Sequence, residues 1–90
     1  MFILKYSSRF KKDLKNYKHN KSVLIELEKV LDVLIKDSEL PIKNVNHRLS
    51  GEFRDCFECH IRPDILLVYK IEKTEITILL LRIGSHSDIF

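Results

Sequence analysis

Residues 53–82 read FRDCFECHIRPDILLVYKIEKTEITILLLR, and the run divides into three strands. Phe53 to Ile61, Ile65 to Ile71 and Glu75 to Arg82 are rich in Ile, Val, Leu and Tyr. Pro63-Asp64 marks a turn between the first two, and Glu72-Lys73-Thr74 is short enough to join the last two as a hairpin. Ile65 to Tyr69 and Ile76 to Leu81, Thr77 apart, are apolar at every position. A strand with one wet face alternates, so both faces of this sheet are expected to be covered.

The residues upstream supply one cover. Phe2 to Tyr6 reads as a short first strand, with Ser7 or Ser8 placed to cap a helix. Phe10, Leu14 and Tyr17 recur at i, i+4 and i+7, the stripe of a helix packed on one side. A break at His19-Asn20 leads to a second helix, capped by Asn20 or Ser22. Val23, Leu24, Leu27, Val30, Leu31, Leu34 and Ile35 form its inner face, with Glu26, Glu28, Lys29 and Asp32 outside. So short a break makes the two an antiparallel helical hairpin. Pro41 ends the helical region, and Leu40 to Ser50 reads as a loop carrying His47. The order is β-α-α-β-β-β. It describes an α+β fold, a small, mainly antiparallel sheet with the hairpin on one face. The other face then needs a partner, an RNA or a protein segment, unless the sheet curves and closes on itself.

Ninety residues are enough for one domain, taken as 1–90. No apolar run approaches the ~20 residues that span a bilayer, and Met1 to Lys5 lacks the form of a signal peptide. The expected setting is the cytoplasm, without a membrane partner. The net charge of +3 is mild, but its distribution is uneven. Between Lys5 and Lys21 stand seven Lys or Arg and a single acid, Asp13. Lys11, Lys12 and Lys15 fall off the buried stripe, facing either solvent or a polyanion.

Cys56-Phe57-Glu58-Cys59-His60 matches the haem-attachment pattern C-x-x-C-H. On a strand, however, i and i+3 point to opposite faces, so neither a haem nor one metal ion is easily gripped by both thiols. Parity instead puts Cys56, Glu58 and His60 on one face and Phe57, Cys59 and Ile61 on the other. The apolar set suits packing under the helices, leaving an acid and an imidazole on the open face, with Asp64 just past the turn. His86 follows the last strand within Gly84-Ser85-His86-Ser87-Asp88-Ile89-Phe90. That segment reads either as a frayed tail or as an ordered piece turned back by Gly84 and anchored by Phe90.

Such residues meet the needs of RNA cleavage without metal or cofactor. The ribose 2′-OH attacks the adjacent phosphate if one group takes its proton and another protonates the departing 5′-oxygen. Imidazole suits both tasks, since its unperturbed pKa lies near 6.5. Arg82 is placed to steady the charge that builds on the phosphoryl oxygens, and Phe90 to stack on a base.

Asn46-His47-Arg48-Leu49-Ser50-Gly51, then Glu58-Cys59-His60-Ile61-Arg62-Pro63-Asp64, then Gly84-Ser85-His86-Ser87-Asp88-Ile89-Phe90, taken in order, resemble the YafQ-type toxins of the RelE/ParE superfamily. The resemblance implies a small antiparallel sheet with helices on one face, cleavage of mRNA in the ribosomal A site of the 30S subunit, and a tightly bound cognate antitoxin. It also implies roles for His47, His60, Asp64, His86 and Phe90, with Glu58 and Arg82 close by. Asp64 and His60 are assigned base and orienting functions and His86 the general acid, an assignment in which the two histidines can be exchanged. Two departures stand out, Phe57 where the family often has Arg and Phe53 where it often has Trp. Two other readings are open. One is a non-catalytic toxin that inhibits DNA gyrase, as some members of the superfamily do. The other is a metal-binding protein using His47, His60, Asp64 and His86.

Overall fold

Ser7 sets where the first helix begins: its hydroxyl accepts from the Phe10 N–H at 2.9 Å, satisfying one of the donors a helix start leaves open. The computed structural model describes residues 1–37, 44, 46–49 and 55–90. Its elements are β1 (Ile3–Tyr6), α1 (Ser8–Leu14, continued by a 3-10 turn at Lys15–Tyr17), α2 (Lys21–Ile35), β2 (His47–Arg48), β3 (Phe57–Arg62), β4 (Ile65–Glu72), β5 (Thr77–Gly84) and α3 (His86–Ile89). Of the two candidate caps for α2, Asn20 performs the task, accepting from the Val23 N–H at 3.2 Å. Pro41 lies outside the described residues, and α2 has already ended at Ile35. No helix among the described residues is long and apolar enough to cross a membrane.

The strands form one sheet in the order β1-β5-β4-β3-β2. β1 runs parallel to β5, and the other neighbours are antiparallel. Apart from shifts of one or two residues at strand ends, three differences from the sequence reading have a clear cause. His47–Arg48, read as loop, pairs with Phe57 and Glu58; two residues are too few to leave a period in the sequence. β3 begins at Phe57 rather than Phe53, because Asp55 turns the chain with φ 71°; Phe53 lies outside the described residues. β5 begins at Thr77 rather than Glu75, because Ile76 belongs to the turn, with φ 54° and its N–H donated to Lys73.

Both faces of the sheet are covered, as the apolar strands required. Phe10 of α1 and Val23, Leu27, Val30 and Leu34 of α2 pack on Cys59, Ile61, Ile65, Leu67, Tyr69, Ile78, Leu80 and Ile83. The opposite face is smaller. There Cys56, Leu66 and Val68 gather with Ile89 of α3, and Leu49 and Leu81 pack at the margin. The chain's own last turn thus supplies cover that the sequence reading sought from RNA or another protein.

Two bulges shape the end of the sheet near α3. The register steps from Tyr69↔Leu80 to Val68↔Arg82, which leaves Leu81 as an extra residue on β5. Parity therefore changes, and Ile83 rather than Arg82 follows Leu80 into the helix-side core. A second step, between His60↔Leu66 and Arg62↔Ile65, leaves Ile61 without an opposite residue.

Candidate active site

The pairing register collects residues that are far apart in sequence. One row of the sheet runs His60↔Leu66↔Gly84. The row beside it runs His47↔Glu58↔Val68↔Arg82. Asp64 lies in the turn between β3 and β4 at this same end, and His86 begins α3 two residues beyond Gly84. With neighbouring strands ~4.8 Å apart, the backbones of His60 and Gly84 are roughly 10 Å apart, so the His60 side chain and one carried just beyond Gly84 are within reach of a single phosphodiester.

The tail is ordered. Ser85, in extended backbone, caps α3 by accepting from the Asp88 N–H at 3.2 Å, and the Phe90 N–H donates to His86 at 2.9 Å. Ile89 is buried on the small face of the sheet, which fixes the turn in place. Phe90 then lies against His86, ring centroids 5.0 Å apart and planes 41° apart. Gly84 is not the pivot the sequence suggested. It ends β5 outside the left-handed region, and a Cβ there would make ordinary contact with Asp88, at 3.4 Å. The direction changes at Ser85.

Three further candidates sit differently from expectation. Strand parity puts Glu58 on the face predicted, but the residue is buried and engaged by a partner, not presented to solvent. Arg82 is not a free cation. Its Nε donates to Asp13 Oδ2 at 2.7 Å and its Nη2 to Asp13 Oδ1 at 3.3 Å, and Nη2 also reaches the Asp88 carbonyl at 3.4 Å. His47 is in register with Glu58, and its side chain lies outside what is described. Lys11, Lys12 and Lys15 are exposed, as the off-stripe positions required.

The C-x-x-C-H pattern behaves as parity predicted. Cys56 and Cys59 are free thiols buried on opposite faces of the sheet. Burial pushes both up, Cys59 to about 12, so both stay protonated and neither is prepared to bind haem or metal.

Sequence reasoning missed three contributors, Asp13, Asn44 and Asn46. Asp13 was visible only as the single acid in a cationic run, which was a signal left unused. Tyr17 packs against the core as expected, and its hydroxyl is also pushed up by burial and then by the charges of Asp88, Asp64 and Asp13. Asn44 is buried and donates through Nδ2 to the His60 carbonyl at 2.7 Å. Asn46 accepts from the Tyr69 hydroxyl at 2.8 Å. Nothing in a lone sequence marks those two asparagines, because their partners are 16 and 23 residues away.

Known proteins match this arrangement. The family described as "Bacterial toxin of type II toxin-antitoxin system, YafQ" matches residues 3–90. The mRNA interferase toxin YafQ of Escherichia coli K12 is 27% identical over 88 residues, 97% of this chain and 94% of that protein. A metal-bound toxin from Helicobacter pylori superposes with TM-score 0.92 at 43% identity, each chain covered completely. The E. coli DinJ-YafQ complex gives TM-score 0.86 at 25% identity, over 100% of this chain and 99% of that one. Among the described residues, no group of three His, Cys, Asp or Glu is arranged to hold a metal ion. The match over residues 3–90 makes the chain a member of the YafQ family of bacterial type II toxin–antitoxin toxins.

Proposed function

We propose that this toxin is an endoribonuclease that cuts mRNA on the ribosome by acid–base chemistry at the end of the sheet carrying His60, Asp64 and His86. The 2′-OH loses its proton to the His60–Asp64 side and attacks the adjacent phosphorus. The P–O5′ bond breaks, and the 5′-oxygen takes a proton from His86. The products are a 2′,3′-cyclic phosphate and a free 5′-OH. His60 and His86 can exchange these tasks, and each positioned acid or base contributes about 10²–10⁴-fold. His47 and Glu58 stand in the neighbouring row, while Phe90 steadies the His86 ring or stacks on a base. Arg82, held along one edge by Asp13, offers its charge to the phosphate. Lys11, Lys12 and Lys15 give the ribosome or the message an exposed basic face. Residues 1–90 act as one domain in the cytoplasm, silenced by a cognate antitoxin, as the complex of the E. coli relative suggests.

The observation that supports this reading most is the row His60↔Leu66↔Gly84, with His86 two residues beyond Gly84 at the start of α3. The test is induction of His86→Ala beside the wild type, with growth followed and mRNA 5′ ends mapped. The variant is expected to lose growth arrest and the new 5′ ends while still binding antitoxin. Retained cleavage would overturn the assignment. Charge reversal at Lys11, Lys12 and Lys15 is expected to weaken ribosome association, with the loss depending on salt.

A further inference from the structure

Asp13 is buried on the inner side of a helix whose outer side is basic. A carboxylate stripped of water keeps its charge only where donors replace the lost hydration. Three groups supply them. Arg82 uses Nε and Nη2, the Ile83 N–H donates to Oδ2 at 3.2 Å, and Arg9 Nε lies 3.5 Å from Oδ1. The Ile83 bond has a structural cause. β1 ends opposite Leu80, so the edge of β5 beyond it lacks a strand partner on that side, and the Asp13 carboxylate takes the N–H that a longer β1 would have met. Ser7 acts one step earlier, its hydroxyl donating to the Leu81 carbonyl at 2.9 Å.

From Asp13 the connection continues. Arg82 Nη2, already on Asp13, also bonds the Asp88 carbonyl inside α3. One carboxylate therefore links α1, the bulged end of β5 and the turn that carries His86 and Phe90. A buried ion pair is poor evidence of stabilisation, since desolvation consumes much of its attraction. What it provides is orientation, because the planar guanidinium fork permits few arrangements against a carboxylate.

We propose that Asp13 is a positioning residue for RNA cleavage, acting through Arg82 to fix both the guanidinium and α3 relative to the scissile phosphate. The inference rests on the ribonuclease reading above. It separates Asp13 from a structural helix residue, because a role exercised through Arg82 must vanish when Arg82 is gone.

The experiment compares kcat and KM on a short RNA for wild type, Asp13→Asn, Asp13→Glu, Arg82→Ala and the double variant Asp13→Asn/Arg82→Ala, with His86→Ala as control. Asparagine keeps an acceptor for Ile83 and removes the charge; glutamate keeps the charge and moves it. Misplacement by about 1 Å costs on the order of 10²-fold in rate, so kcat is expected to fall about 10- to 100-fold with little change in KM. The Arg82 Nε–H resonance is expected to shift in both single Asp13 variants. In the Arg82→Ala background, Asp13→Asn is expected to cost almost nothing more. Wild-type kcat in a folded Asp13→Asn, or costs that multiply in the double variant, would overturn the proposal. If Asp13→Asn does not fold, Asp13→Glu decides the matter by the same kcat and resonance. If the wild type itself does not cleave, the ribonuclease reading has failed; if the wild type cleaves, His86→Ala is inactive and the Asp13 variants are normal, only this inference has.

Discussion

The side-chain amide of Asn44 donates to the backbone carbonyl of His60 across 2.7 Å, and that bond stands in for a missing strand. β2 pairs with Phe57 and Glu58 and goes no further, so the outer edge of β3 at His60 is closed by a side chain. Leaving this part-buried carbonyl unmet costs on the order of 1 kcal/mol. Asn44→Ala is therefore expected to lower Tm by at least ~4 °C, at 4–8 °C per kcal/mol in a domain this small. Cleavage should fall as well, since His60 loses its backbone restraint. Calorimetry and an RNA assay on the same preparation check both, and an unchanged Tm would sink the argument.

Phe90 separates activity from stability. Half of the residue is exposed, at 48%, yet its ring lies 5.0 Å from that of His86. Aromatic contacts of this type contribute about 0.5–1.5 kcal/mol, which corresponds to as much as a tenfold rate loss if spent on orienting the imidazole. Phe90→Ala should reduce cleavage about tenfold and move Tm little. A large drop in Tm with normal cleavage of the folded fraction would assign Phe90 to the fold instead.

Alkaline pH is expected to unfold the protein earlier than its charge would suggest. Burial raises the Cys59 thiol from its ordinary 9.0 to about 12, and burial also raises the Tyr69 hydroxyl. Both groups hold their protons more tightly when folded. Their contribution is complete below about pH 9, where the unfolded thiol is still protonated, and is lost as pH rises toward 12. Urea midpoints should decline from about pH 9 upward, more shallowly in Cys59→Val. Identical slopes in the two proteins would show that Cys59 is not responsible.

Ile76 carries strain that can be relieved. A β-branched residue at φ 54° is unfavourable, and its side chain is half exposed, so little packing offsets the cost. Glycine accepts this backbone without steric penalty, at some cost in backbone entropy. Ile76→Gly is expected to stabilise by about 0.5–1 kcal/mol, seen as a rise of several degrees in Tm. A fall in Tm would mean that the side chain packs more usefully than its exposure indicates.

What sequence carried well was periodicity. The stripes Phe10-Leu14-Tyr17 and Val23-Leu27-Val30-Leu34, and the unbroken apolar strands, found both helices and the double cover of the sheet. Periodicity failed where backbone conformation decides, at Ile76 and Asp55, and where an element is too short to repeat, at β2. The motif residues His60 and Asp64 lie at the end of the sheet near α3, which His86 begins. The side chains that close the sheet edges there, Asp13 and Asn44, leave no mark in the periodic pattern because Arg82, the Ile83 N–H and the His60 carbonyl are brought to them only by the register.

β5 is made late yet lies inside the sheet, between β1 and β4. Ser7 must find Leu81 across 74 residues, and Asp13 must find Arg82 across 69. At about 5–20 residues per second, a ribosome finishes both helices seconds before the strand they rest on. Contacts of such separation come late in folding. The nascent toxin therefore has no assembled site during most of its own synthesis, and chains truncated before Thr77 are expected to show no cooperative unfolding and no toxicity. Topology here acts as a timer: the sheet closes only once β5, its central late strand, has been made.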